Sequence, residues 1–159
     1  MNPIIFPVTY KCNLNCVYCN VKNSRQEPNI DICLDLINKS DNNWVFITGG
    51  EPLLRNDIID ICKNIKSFGK KIGLTTNGTT NNYEILKYID RIGVSLDGDK
   101  EVTDKNRGDG VFEMALNYLK NCSNIETVIM ATIVKPLNDI EITKIAEKLN
   151  VDYLQVTLI

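Results

Sequence analysis

Cys12, Cys16 and Cys19 stand close together in the run KCNLNCVYCN, in a chain of 159 residues that contains no histidine. Cysteine thiolates hold four-iron clusters, and three of them with no obvious fourth would leave one iron open for chemistry. A structural zinc site is the competing possibility, and it needs four closed ligands from Cys, His or carboxylate. The fourth would have to be Cys33, Cys62 or Cys122, none of which has another cysteine two to four residues away. Six cysteines could also form a disulfide framework. The chain, however, shows no charged-then-apolar leader and is neither small nor loop-rich, so a reducing cytoplasm is expected.

A second run with chemical potential is Gly49-Gly50-Glu51-Pro52, which follows directly on the apolar stretch WVFIT. Two glycines at a strand end let another molecule approach the backbone closely. A carboxylate beside them could accept hydrogen bonds from a ligand's ammonium group, while Pro52 would fix the exit of the loop. The run reads equally well as a plain turn, and it gains weight only if the fold brings it beside the cysteines.

The elements that would do so are short Val-, Ile- and Leu-rich runs alternating with segments of helical periodicity. Strands are expected over residues 4–10, 44–48, 71–75, 91–96, 126–134 and 152–159. Five helical faces lie between them: Ile30, Cys33, Leu34 and Ile37; Ile58, Ile61, Cys62 and Ile65, closed by a left-handed cap at Gly69; Ile85, Leu86 and Ile89; Phe112, Ala115, Leu116 and Leu119 after the Asp109-Gly110 turn; and Ile142, Ile145 and Leu149, opened by Asn138 and Glu141 at capping-box spacing. Strands that alternate with helices pair in parallel through right-handed crossovers. Sheets of that kind gather ligands at the carboxyl ends of their strands, where the cysteine loop and the Gly-Gly-Glu-Pro turn both fall. Cys33 and Cys62 lie on apolar helix faces and Cys122 ends the fourth helix, so these three are expected to be core residues.

Composition adds exclusions. With 43% apolar and 24% charged residues and a net charge of −2, the chain reads as a single globular domain, residues 1–159. No apolar run approaches the roughly 20 residues of a membrane span, and no basic tract suggests nucleic acid.

CNLNCVYC followed by ITGGEPLL resembles the radical S-adenosylmethionine (radical SAM) enzymes. The resemblance continues through LTTNG at residues 74–78, VSLDG at 94–98 and Arg107 in DKNRGDGVF, which look most like the branch that modifies peptides and proteins and its molybdenum-cofactor relatives. It implies a partial (β/α)6 barrel ending at the sixth strand. It also implies that Cys12, Cys16 and Cys19 bind a 4Fe-4S cluster and that SAM chelates the open iron. Gly49, Gly50 and Glu51 would border the SAM amino group, Thr75 and Ser95 would line its middle, Arg107 would meet its carboxylate and the backbone at Tyr18 would contact the adenine.

The chemistry so implied is reductive cleavage of SAM to a 5'-deoxyadenosyl radical that takes a hydrogen atom from a substrate, a step that needs no imidazole. A peptide or protein substrate is expected ahead of a small molecule, with an external electron donor such as flavodoxin or ferredoxin. Family cores usually continue into a closing helix and often a further domain with extra cysteines, which are missing here. The sixth strand is therefore expected to be an apolar edge covered by a substrate, a partner or a second copy in a homodimer. A glycyl-radical-enzyme activating protein is the second enzyme reading, and a non-catalytic iron-sulfur or SAM-binding module is the alternative from another class.

Overall fold

The computed structural model describes residues 3–21, 26–122, 124–133 and 139–158. Six strands, β1 (Ile4–Pro7), β2 (Trp44–Thr48), β3 (Lys71–Thr76), β4 (Arg91–Ser95), β5 (Glu126–Ile133) and β6 (Tyr153–Leu158), form one sheet in sequential order. Every neighbouring pair is parallel. Helices α1 (Ile30–Lys39), α2 (Ile58–Ser67), α3 (Lys100–Arg107), α4 (Val111–Lys120) and α5 (Asp139–Leu149) make the connections. The expected partial barrel of six strands is what the chain forms. The Asn138 and Glu141 side chains of the expected capping box, and the strand ends Val134 and Ile159, lie outside the described residues.

Alternation along each strand divides the sheet into two faces. Val45, Ile47, Ile72, Leu74, Ile92, Val94, Ile129 and Ala131 are buried against the helices, chiefly Ile58, Ile61, Cys62 and Ile65 of α2 and Ala115, Tyr118 and Leu119 of α4. Cys62 and Cys122 are buried and Cys33 packs against the same core. Burial pushes the Cys62 thiol up to about 12 and the Cys122 thiol up to about 11, which suits inert packing residues. Gly69 lies just past α2 with φ 72°, the left-handed cap that its position predicts.

The inner face differs. A cavity of about 430 Å³ opens there, bounded by Phe46, Gly73, Thr75, Gly93, Met130 and Gln155. Arg91 closes it at the amino ends of the strands. Its guanidinium is ion-paired with Glu126 and lies 5.1 Å from the Trp44 ring, 5.2 Å from Tyr153 and 5.9 Å from Phe46, within cation–π range. On the outer edge of the sheet, Val156 and Leu158 of β6 remain 44% and 76% exposed.

Two elements depart from their sequence pattern. The face Ile85, Leu86 and Ile89 is realised only as a 3-10 turn over Glu84–Lys87; before it Thr79 is bonded to Asn13 of the rim at 2.8 Å and the Asn82 carbonyl accepts from the Tyr118 hydroxyl of α4 at 3.1 Å. In contrast, α3 forms without an apolar stripe. Asp99 caps it by accepting from the Val102 N–H at 2.9 Å, and the residues it buries are Thr103, Asn106 and Arg107.

The rim begins at the end of β2. The Gly50 N–H donates to the Thr9 carbonyl and the Glu51 N–H to the Lys11 carbonyl, both at 2.8 Å. Here the glycines admit the chain itself. A Cβ on Gly49, which has φ 147°, would stand 2.3 Å from Thr9 O, and one on Gly50 would stand 2.2 Å from Lys11 O. We predict that Gly50→Ala lowers unfolding stability by about 2 kcal/mol, since the obstructing atoms are backbone and cannot rotate away. Chemical denaturation measures this; a change within experimental error would show that the two segments are not held in this contact.

Candidate functional site

The three cysteines occupy the loop that leaves β1 and crosses the carboxyl ends of the sheet, and all three are partly buried. The loop is shaped by its own backbone. The Cys19 N–H donates to the Cys16 carbonyl at 3.1 Å, and the N–H groups of Leu14 and Val21 point at the sulfurs of Cys12 and Cys19, both at 3.4 Å. Bonds of this kind favour a thiolate. Burial pushes the Cys12 and Cys16 thiols up, with the neighbouring cysteines adding to the effect. In Cys16 the Arg107 charge opposes it. The three thiols are close enough to act on one another electrostatically, and a set of neighbouring cysteine sulfurs is the donor chemistry that an iron-sulfur cluster takes.

Cys12 faces the end of β3. The Asn77 side-chain amide lies 3.9 Å from its sulfur and donates to Asn13 Oδ1 at 3.0 Å. Sequence reasoning placed LTTNG at the rim but chose Thr75 from it, whereas Asn77 is the residue that reaches the cysteine. Thr75 lies lower, on the inner face beside the cavity. Ser95 shares that face by alternation with Arg91 and Gly93.

Glu51 has no exposed surface. One carboxylate oxygen accepts from the Leu53 N–H at 3.0 Å and the Thr76 hydroxyl at 2.8 Å, and the other accepts from the Asn77 N–H at 2.7 Å. Burial raises its pKa against the pull of these three bonds. The expectation that this carboxylate reaches out to a ligand's ammonium group therefore needs correction. It faces inward and joins the ends of β2 and β3, so a ligand at this rim would meet the surrounding backbone.

Tyr18 and Arg107 come together across the loop. The Tyr18 hydroxyl donates to Asp97 Oδ2 at 2.7 Å, Arg107 Nη2 donates to Asp97 Oδ1 at 2.7 Å, and the guanidinium lies 5.6 Å from the Tyr18 ring. Burial disfavours the Arg107 charge, but the Asp97 carboxylate more than offsets it and keeps the group protonated. The Arg107 side chain is only 7% exposed, and its Nε has no hydrogen-bond partner among the described residues. A buried donor left over in this way suits an anionic group brought by a ligand. Asp97 was not singled out from the sequence, although an acidic residue two positions after the end of β4 was a signal available in VSLDG.

The chain is similar to known proteins in sequence and in fold. A family model for the radical SAM superfamily matches residues 6–149. The mycofactocin maturase MftC of Mycolicibacterium smegmatis is 30% identical over 95% of this chain and 39% of its own length. A probable GTP 3',8-cyclase of Methanococcus aeolicus is 36% identical over 84% of this chain and 52% of its own. This chain thus spans about half or less of the length of these curated relatives. The crystal structure of Streptococcus suis SuiB bound to precursor peptide SuiA shares the fold, with a TM-score of 0.84 at 18% identity over 98% of this chain and 39% of that one. The chain belongs to the radical SAM superfamily, enzymes that work with a 4Fe-4S cluster and S-adenosylmethionine.

Proposed function

We propose that this chain is the catalytic core of a radical SAM enzyme that acts on a peptide or protein. The observation that carries the reading is the assembly of the three cysteines with Asn77 and Arg107 over the carboxyl ends of a half-barrel whose inner face holds a cavity. Cluster and SAM together would supply a 5'-deoxyadenosyl radical able to take hydrogen from an unactivated carbon. The protein's part is positional. Cys12, Cys16 and Cys19 would hold the cluster by their thiolates, and because the thiol pKa values of Cys12 and Cys16 are raised, loading would release protons.

Arg107 would offer its spare Nε–H to the SAM carboxylate, and Gly49 and Gly50 would shape the neighbouring backbone. Thr75 and Ser95 would line the inner face, and the loop at Tyr18 would border the adenine. The apolar walls of the cavity, closed below by Arg91 and its aromatic rings, would keep water from the reacting centre. A low-potential donor of the flavodoxin or ferredoxin type would reduce the cluster, and the surroundings implied are cytoplasmic. No helix among the described residues is long and apolar enough to cross a membrane.

Two findings support the peptide assignment: a maturase among the relatives and the fold shared with a protein bound to a precursor peptide. A maturase and a cyclase also favour the peptide-modifying and molybdenum-cofactor branch over a glycyl-radical activase.

The test is anaerobic reconstitution with iron and sulfide, followed by SAM and a strong reductant, with 5'-deoxyadenosine measured by mass spectrometry. The wild-type chain should form it and Cys16→Ala should fall to background. Equal yields from both would remove Cys16 from the ligand set. Cys62→Ala should retain the nucleoside yield and lose only about 1 kcal/mol of stability. Loss of iron from that variant would contradict its place in the core.

A further inference from the structure

Asp97 lies at the carboxyl end of β4 and has no exposed surface. Both of its oxygens are taken up by the protein. Oδ1 accepts from Arg107 Nη2 at 2.7 Å and from the Thr132 N–H of β5 at 3.0 Å, and Oδ2 accepts from the Tyr18 hydroxyl at 2.7 Å and the Asn106 amide at 3.4 Å. One carboxylate therefore joins four parts of the chain: the β4 end, the β5 strand, helix α3 and the cysteine loop. The Val17 N–H strengthens the last link by donating to the Asn106 carbonyl at 2.9 Å. Val17 and Tyr18 both lie between Cys16 and Cys19, so the segment between two of the three thiols is fastened to α3 by a backbone bond and to Asp97 by a phenol. Arg107 is fastened to the same carboxylate, with its Nε left over.

We propose that Asp97 is a positioning residue that couples the cysteine loop to Arg107. A single buried charge fixes both the place of the Cys16-to-Cys19 turn over the strand ends and the direction in which the guanidinium presents its free donor. Because its own oxygens are occupied, Asp97 acts through Tyr18 and Arg107 and does not touch a ligand. The inference rests on the reading of Cys12, Cys16 and Cys19 as cluster ligands and adds a buried link between that cluster's loop and the SAM-facing arginine.

The chemistry of the link dictates the test. Asn at position 97 keeps the size and an acceptor oxygen but removes the charge, leaving Arg107 buried without its counter-ion and Tyr18 without a charged acceptor. Hydrogen-deuterium exchange on the full chain, before and after anaerobic reconstitution, should show residues 12–21 of Asp97→Asn exchanging about 10-fold faster than wild type while β2 and β3 keep their protection. In the reconstituted protein the same variant should keep its iron and bind SAM about 10-fold more weakly, the scale on which supporting contacts to a ligating shell act. Tyr18→Phe removes only the phenol bond and should quicken loop exchange alone.

An unchanged loop in both variants overturns the proposal. Faster loop exchange with unaltered SAM affinity in Asp97→Asn overturns the coupling to Arg107. General loss of sheet protection in Asp97→Asn, with an unaltered loop in Tyr18→Phe, would show that the carboxylate supports the fold and not the loop. Failure of the wild-type chain to take up iron or SAM would instead strike the cluster assignment, while the exchange comparison in the metal-free protein would still judge the link.

Discussion

The contact between the Gly49-Gly50-Glu51 turn and the backbone that leaves β1 is the constraint on which the remaining architecture depends. Without side chains at 49 and 50, the turn lies directly on Thr9, Tyr10 and Lys11, and two backbone hydrogen bonds hold it there. The start of the cysteine loop is therefore placed by β2, not by the loop's own sequence. Glu51 extends the arrangement sideways. Its buried carboxylate collects donors from its own turn and from the end of β3, which sets Asn77 beside Cys12. A buried carboxylate is costly unless its hydrogen-bonding capacity is met, and that cost makes the position of each donor specific.

Below this rim the inner face is built from small residues and a self-contained floor. Gly73 leaves room for the Phe46 ring, and Gly93 for Met130. The charge of Arg91 is met by Glu126 and by three aromatic rings, so the amino end of the half-barrel is closed by side chains while the carboxyl end carries the polar groups. This division matches the rule that parallel sheets keep stability at one end and chemistry at the other.

Much of this was legible in the sequence because hydrophobic period and strand-end chemistry act locally. The strands announced themselves through Val, Ile and Leu runs, and four of the helices through faces such as Ile58, Ile61, Cys62 and Ile65. Helix α3 could not be seen that way, since what it buries is Thr103, Asn106 and Arg107, a polar face chosen for Asp97 and the rim. The face at Ile85 and Leu86 misled for the opposite reason. Its apolar residues are indeed in the core, but the segment before them is tied at Thr79 to the rim and at Asn82 to α4, and only a single turn forms. Glu51 was found but its direction was not, because a carboxylate that satisfies buried backbone donors and one that faces a ligand have the same sequence. Asp97 and Asn77 sat inside motifs already noticed, yet their importance lies in partners that are distant along the chain.

If Cys12, Cys16 and Cys19 hold a four-iron cluster with one iron left for SAM, the reduced cluster must respond to SAM. Electron paramagnetic resonance of the anaerobically reconstituted, reduced chain, recorded with and without SAM, tests it most directly. The expected result is the signal of a reduced 4Fe-4S cluster that changes when SAM is added. No signal of a reduced cluster, or a cluster signal indifferent to SAM, would contradict it.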